Sequence, residues 1–182
     1  KTAYEIYQCD WSSDVCSSDL RDFDADCEAA MHISTDGWIG IPAASFRAAC
    51  ISACRLVGFK MTLAKLSTFV EADGLHKEDG IPLVRVYGAS TVYTAHTRNA
   101  TGVVDVRSRP MYKEWAVKLR VRFDMDQFKM VDVINLVSRC GLQVGIGAGR
   151  PDSKASAGCG FGLFRVVESD REAAVKAKFG IE

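Results

Sequence analysis

Alternation of apolar and polar side chains is clearest between Ala116 and Phe123. Side chains of a strand point to opposite faces in turn, so this period predicts a half-buried strand. Its apolar side would carry Val117, Leu119, Val121 and Phe123, and its polar side Lys118, Arg120 and Arg122. The strand therefore presents a row of three cations to solvent.

Two stretches have the helical period of a single buried face. The first follows Pro42, has a stripe of Phe46, Cys50, Ala53, Cys54 and Val57, and is expected to end at Gly58. The second runs from Met130 to Cys140, with a stripe of Val133, Ile134, Val137 and Cys140. Gly141 is expected to follow its last turn, since glycine favours that position.

Shorter patterns predict the remaining elements. Strands are expected at Leu66–Glu71, Pro82–Tyr87, Thr91–Thr97, Gly102–Arg107, Leu142–Ile146 and Phe161–Val167, and short helices at Ala25–Met31 and Glu168–Lys178. Pro82–Tyr87 and Thr91–Thr97 are separated only by Gly88-Ala89-Ser90, so we expect them to pair with each other.

The first 20 residues have no apolar period and contain a near-repeat of Ser-Ser-Asp. They resemble a translated sequencing adapter; a disordered Ser/Asp tail is the alternative. Residues 21–182 are expected to form one domain. Their order of elements, with a first strand missing, predicts an α+β fold of the ferredoxin-like (split βαβ) class. In that fold two helices cover one face of an antiparallel sheet.

Charge and composition limit the classes of function. The 182 residues carry 23 Lys and Arg against 23 Asp and Glu, which excludes a binder that is basic throughout but leaves room for a local basic face. No run of 18 apolar residues predicts a membrane span. The seven cysteines form no Cys-x-x-Cys pair, so we interpret most as core thiols of a cytoplasmic protein and expect no metal or cofactor.

A glycine-rich loop is the first candidate site. Seven glycines lie between Gly141 and Gly162, together with Arg150 and Lys154. The loop is neither a Walker motif nor a dinucleotide fingerprint, because Pro151 stands where a helix would begin. It is either a loop that presents Arg150 and Lys154 to phosphates or a structural connection.

A local excess of cations is the second candidate. Residues 98–122 contain Arg98, Arg107, Arg109, Lys113, Lys118, Arg120 and Arg122, opposed only by Asp105 and Glu114. Such a face would bind phosphates with strong salt dependence; ordinary solvated ion pairs are the alternative. Tyr93, Tyr112 and Trp115 lie among these cations and either stack on bases or belong to the core.

Catalytic signals are sparse. His32, His76 and His96 have no carboxylate or nucleophile at a suggestive spacing, and no hydrolase, metalloprotease or kinase motif is present. The sequence thus favours a protein that is not an enzyme.

Two segments resemble a known family. The run Ile41–Ala49 (IPAASFRAA) is similar to the Ile-Pro-Gly-Ser-Ser helix start of the RAMP superfamily, the ferredoxin-like backbone subunits of CRISPR effector complexes. Gly145–Arg150 with Gly160–Val166 resembles that superfamily's glycine-rich loop. Arg107-Ser108-Arg109-Pro110 with Trp115, combined with this loop, also looks like uncharacterised phage proteins. The resemblance implies RNA-backbone contacts by Arg47, Arg150 and Lys154, whereas Ala43 and Ala48 replace expected glycines.

Together these patterns predict a phage- or CRISPR-related protein that binds RNA or single-stranded DNA. The expected contacts are Arg47, Arg98, Arg107, Arg109, Lys118, Arg150 and Lys154. Its partners would be the nucleic acid and either copies of itself or effector-complex subunits. The alternatives are a metal-independent endoribonuclease of the same fold and a phage structural or assembly protein.

Overall fold

The computed structural model describes residues 21–98, 104–153 and 159–181, which form an α+β fold with antiparallel strands. The helices are α1 (Phe23–Ala29), α2 (Ala43–Val57), α3 (Met61–Ser67), α4 (Met130–Arg139) and α5 (Glu172–Phe179). The strands are β1 (His32–Ile33), β2 (Ile39–Pro42), β3 (Thr68–Glu71), β4 (Gly74–Leu75), β5 (Pro82–Tyr87), β6 (Ser90–Arg98), β7 (Val104–Tyr112), β8 (Ala116–Val117) and β9 (Arg120–Phe123).

The main sheet has β5 near its centre. The strand order is β1-β2-β5-β4, and β8 also pairs with the far end of β5. Gly40 lies opposite Arg85, and Ile41 lies opposite Val84. Val84 faces the core, so Arg85 faces the other side of the sheet, which we call the outer face.

Two ribbons complete the β structure. β3 pairs with β9, and β6 pairs with β7 over nine residue pairs, from Ser90–Tyr112 to Arg98–Val104. The expected pairing between Pro82–Tyr87 and Thr91–Thr97 is wrong. β5 already pairs with β2, β4 and β8, and β6 pairs with β7 instead.

The core lies between α2, α4 and the inner face of the main sheet. The predicted stripe of α2 is confirmed, because Phe46, Cys50, Ala53 and Cys54 are all buried. The helix ends at Gly58, whose φ of 75° is favourable only for glycine. Cys27 and Cys140 are buried as well, so four of the five cysteines in the described residues pack as small hydrophobes, and Cys159 is exposed.

The predicted single strand over Ala116–Phe123 is divided in two. Val117 pairs with Val86 in the main sheet, whereas Val121 pairs with Val70 in the β3–β9 ribbon. Two different partners cannot be reached by one straight strand, so the chain leaves extended pairing at residues 118–119. The apolar side of the pattern is retained, since Val117, Leu119, Val121 and Phe123 pack against the core.

The chain after α4 departs most from prediction. The expected strand Leu142–Ile146 is wrong: α4 passes directly into a π-helical turn, Cys140–Val144, with Gly141 inside it. Residues 161–167 are irregular rather than the predicted last strand. Within the described residues, no helix has the length and apolar character needed to cross a bilayer.

Truncating Leu136 to alanine should cost about 2–5 kcal/mol of unfolding free energy, because this side chain is completely buried in the core. Ile134→Ala on the same helix should change stability by less than about 1 kcal/mol. Although the sequence places Ile134 on the buried stripe, 49% of it is exposed. Urea denaturation of both variants tests this ranking, and equal losses would contradict it.

Candidate nucleic-acid interface

A cleft of about 420 Å³ separates the first two turns of α2 from the glycine-rich loop. Its walls are small residues of the helix and backbone of the loop, with Arg150 and Asp152 at the loop side. The lining residues are Ala44, Ser45, Ala48, Ala49, Val144, Gly145, Ile146, Gly147, Arg150 and Asp152. The two segments that carry the family resemblance are thus brought together in space.

Asp152 fastens the loop to α2. Its carboxylate accepts a hydrogen bond from the Ser52 hydroxyl and forms an ion pair with Arg55 at 2.6 Å. These contacts hold the pKa of Asp152 below its usual range, the Ser52 hydrogen bond contributing most. The loop is therefore held against α2 at Ser52 and Arg55.

The returning chain closes the loop from the other side. The Ile146 amide donates to the Gly162 carbonyl at 3.0 Å, and the Phe161 amide donates to the Gly149 carbonyl at 3.2 Å. Gly162 has a φ of 71°, and a Cβ there would overlap the Ile146 carbonyl. Close packing of the loop therefore explains part of the glycine-rich sequence, as expected if the loop is a structural connection.

Two exposed aromatic rings meet where this loop touches the β6–β7 ribbon. Tyr93 and Phe161 lie edge to face with their centroids 5.9 Å apart, and they are 39% and 38% exposed. Phe161 packs on the backbone of Gly149, which has no side chain to obstruct it. Arg109 is the cross-strand partner of Tyr93, and directly opposed residues project from the same face of a ribbon.

Arg150 follows Gly149, the residue on which Phe161 packs. Its guanidinium donates to the Gly147 carbonyl at 3.0 Å, which ties the side chain to its own loop. We call Tyr93, Arg109, Arg150 and Phe161 the ribbon–loop surface. It combines two aromatic rings with two cations, the side chains that stack on bases and contact phosphates.

Arg107 lies two residues from Arg109 and so on the same face of β7. Its guanidinium contacts Asp105 at 3.0 Å, and Asp105 also contacts Arg21 at 3.1 Å. The pKa of Asp105 is lowered by these two arginines, Arg107 first. Asp105 therefore competes with any phosphate for the Arg107 guanidinium.

Two other predicted contacts lie elsewhere. Arg47 donates to the backbone carbonyls of Lys65 and Thr68 and lies over the Phe69 ring at 4.7 Å, which joins α2 to β3. Lys118 is exposed near α5, where it assists Lys176 in lowering the pKa of Glu172. Lys154 and the side chain of Arg98 lie outside the described residues.

The remaining cations of residues 98–122 are spread over several surfaces. Arg120 pairs with Asp73 at 2.8 Å, and Arg122 lies over Phe69 on the β3–β9 ribbon. Asp73 comes from 47 positions earlier in the chain, so the local count of charges could not anticipate this pairing. In the described residues these cations therefore do not share one continuous basic face, and Arg109 lies on the face of the ribbon that carries Tyr93.

His32 and His76 form a pair on the outer face that their positions in the sequence did not indicate. His76 Nδ1 lies 2.7 Å from Asp79 Oδ1, and the His32 ring meets the His76 ring edge to face at 5.3 Å. The pKa of Asp79 is lowered, chiefly by the Ile81 amide and then by His76. The only sequence signal is the spacing of three residues between His76 and Asp79, which is also typical of a turn.

The described residues contain no group of three or more His, Cys, Asp or Glu side chains that could hold a metal ion. No protein-family model matches the chain, and no curated protein or solved structure matches it either.

Replacing Asp152 by asparagine should loosen the glycine-rich loop with little effect on overall stability. The ion pair is worth about 1 kcal/mol or less, because its side chains are 34% and 56% exposed and water screens them. Hydrogen exchange at residues 145–153 should become faster, while the control Asp126→Asn, at an exposed residue, should leave it unchanged. Unaltered exchange in Asp152→Asn would contradict this role.

The same anchor predicts a pH dependence. The folded-state pKa of Asp152 is lowered, so its contribution is complete above the unfolded pKa of about 3.9 and is lost as the pH falls through the folded value. The melting temperatures of wild type and Asp152→Asn should therefore differ most near neutral pH and converge in acid. A difference that grows in acid would contradict the assignment.

Proposed function

We propose that this protein binds single-stranded RNA or DNA through the ribbon–loop surface. The observation that carries the proposal is the exposed Tyr93–Phe161 pair, with Arg109 opposite Tyr93 on the ribbon and Arg150 next to Gly149, the residue on which Phe161 packs. Aromatic rings of this exposure offer stacking partners to unpaired bases, and arginines beside them suit the phosphates between those bases.

The charge distribution supports modest, salt-dependent binding. The whole chain is neutral, so long-range attraction to a polyanion is weak, and affinity must come from local contacts. Stacking needs base faces that a duplex hides, which favours a single strand over a double helix.

The wider assignment rests on the cleft, which shares Arg150 with the ribbon–loop surface. The cleft lies between the start of α2 and the glycine-rich loop, the two segments that resemble the RAMP superfamily. We accordingly propose a ferredoxin-like ancestry and a phage- or CRISPR-related role in which nucleic acid runs past this cleft, with Arg47 and Lys118 as outlying contacts. A structural or assembly protein would instead form oligomers that ignore added RNA and DNA.

Tyr93→Ala should weaken binding of a single-stranded oligonucleotide by roughly 5- to 100-fold, the loss expected for one stacked base. Arg109→Gln and Arg150→Gln should each reduce the slope of log affinity against log salt by roughly 0.7–1, the value for one phosphate contact. Fluorescence anisotropy over a salt series measures both effects.

Phe69→Ala is the matched control, because Phe69 is an aromatic residue of similar exposure on the separate β3–β9 ribbon. It should change affinity much less than Tyr93→Ala, because among the proposed contacts Phe69 touches only the outlying Arg47. Failure of wild-type protein to bind RNA or DNA even at low salt would refute the proposed function. Equal losses in Tyr93→Ala and Phe69→Ala would show that binding does not use this surface.

A second candidate function is metal-independent RNA cleavage by His32 and His76, favoured by their contact and by Asp79. With Asp79 accepting the Nδ1 proton of His76, Nε2 can take the proton of a 2′-hydroxyl. That oxygen attacks the adjacent phosphorus, and the 5′-oxygen leaves with a proton from protonated His32. The products would be a 2′,3′-cyclic phosphate and a 5′-hydroxyl.

This candidate predicts cleavage of RNA, but not DNA, in the presence of EDTA. His32→Ala should lower the rate by about 100-fold or more, the usual contribution of an acid or base, whereas His96→Ala should not. His96 lies on β6, in the β6–β7 ribbon rather than in the main sheet. Intact RNA after prolonged incubation, or equal losses in both variants, would reject it.

A further inference from the structure

The outer face of the main sheet carries a second group of aromatic and cationic side chains. Gly40 lies at its centre, with His32 opposite it on β1 and Arg85 opposite it on β5. Because directly opposed residues share a face, these two side chains flank the space above Gly40. No helix of the core occupies this side, since α2 and α4 pack on the inner face through residues such as Val84.

Trp38 occupies the space above this glycine. A Cβ on Gly40 would lie 2.9 Å from one atom of the Trp38 benzo ring, and a Cβ on Gly74 would lie 2.7 Å from another. Two positions without side chains therefore let a large indole settle on the sheet. The indole remains half-buried rather than buried, so part of its ring system stays in contact with solvent.

Arg85 and Tyr87 continue the same face along β5. The Arg85 guanidinium lies over the Tyr87 ring at 4.9 Å from its centroid, and Arg85 is exposed. The backbone amide of Arg85 donates to Asp73 at 2.9 Å, which fixes the strand beneath. A guanidinium held against an aromatic ring keeps its planar fork in one orientation, which suits a phosphate.

We propose that this face, formed by Trp38, Arg85 and Tyr87, is a second contact surface for the single strand bound at the ribbon–loop surface. Trp38 would stack on a base, and Arg85 would contact the adjoining phosphate. The inference rests on the proposed function. It adds a separate subsite, on a different sheet, that neither the glycine-rich loop nor the basic segment predicts.

Chain connectivity places the two surfaces one turn apart. Tyr87 ends β5, and Ser90 begins β6 after only Gly88 and Ala89. β6 then carries Tyr93. For a nucleic-acid strand that leaves the ribbon near Tyr93 toward the main sheet, Tyr87 is therefore the next aromatic residue along the polypeptide.

Photocrosslinking tests the second surface without any substitution. Full-length protein is irradiated with an oligouridylate of roughly 15 nucleotides, within the range that single-strand binding folds cover, carrying 4-thiouridine at successive positions. Crosslinked peptides are identified by mass spectrometry. We expect adducts on peptides containing Trp38 or Tyr87 in addition to those containing Tyr93 or Phe161.

Binding by variants provides the second readout. Arg85→Gln should weaken binding of the long oligonucleotide by roughly 3- to 10-fold, as for loss of one phosphate contact. The control is Lys77→Gln, which replaces an exposed cation near β4. Trp38→Phe, which retains a ring in the same space, should weaken binding less than Trp38→Ala.

The outcomes separate the two proposals. Binding with crosslinks confined to Tyr93 and Phe161, and with unchanged affinity in Arg85→Gln, would overturn the second surface and leave the proposed function standing. Crosslinks confined to Trp38 and Tyr87 would refute the ribbon–loop surface, and with it the path of one bound strand over both surfaces. Complete absence of binding would overturn both.

Discussion

The packing of Phe164 against Gly141 is the contact on which the candidate site depends. The Phe164 ring also meets Phe46 of α2 and Trp115, with centroids 6.3 Å and 5.9 Å away. A Cβ on Gly141 would collide with this ring, so only glycine lets the returning chain come so close. Once Phe164 is fixed in the core, Phe161 must emerge three residues earlier, beside the ribbon and the glycine-rich loop.

This contact explains why the sequence alone names Arg109, Arg150 and Tyr93 as candidates but gives no sign of Phe161 or of the arrangement around it. Glycines near Arg150 suggest a loop that cradles phosphate, and the structure gives several of them a packing role instead. Gly141 admits Phe164, and Gly149 admits Phe161. The same substitutions that would destroy a phosphate cradle would also displace the aromatic ring, so sequence inspection cannot separate the two roles.

Elements in which apolar residues recur at a regular spacing were predictable from the sequence, whereas strand pairings were not. The α2 stripe from Phe46 to Val57 follows from side-chain spacing alone, and its end at Gly58 follows from backbone sterics. The division of residues 116–123 and the pairing of β6 with β7 depend on which strand edges remain open. That is a property of the assembled sheet, and the local alternation does not encode it.

Which cations of residues 98–122 share a surface could not be predicted from the sequence either. Between residues 98 and 122 cations outnumber carboxylates, yet Arg120 finds Asp73 and Lys178 brings a further cation to Glu114. Counting charges along a chain treats neighbours in sequence as neighbours in space, and a sheet violates that assumption. For the binding that we propose, the cations that matter are those that folding places beside aromatic rings. Arg109 therefore gains its significance from Tyr93 across the ribbon, and Arg85 from Tyr87 along its own strand.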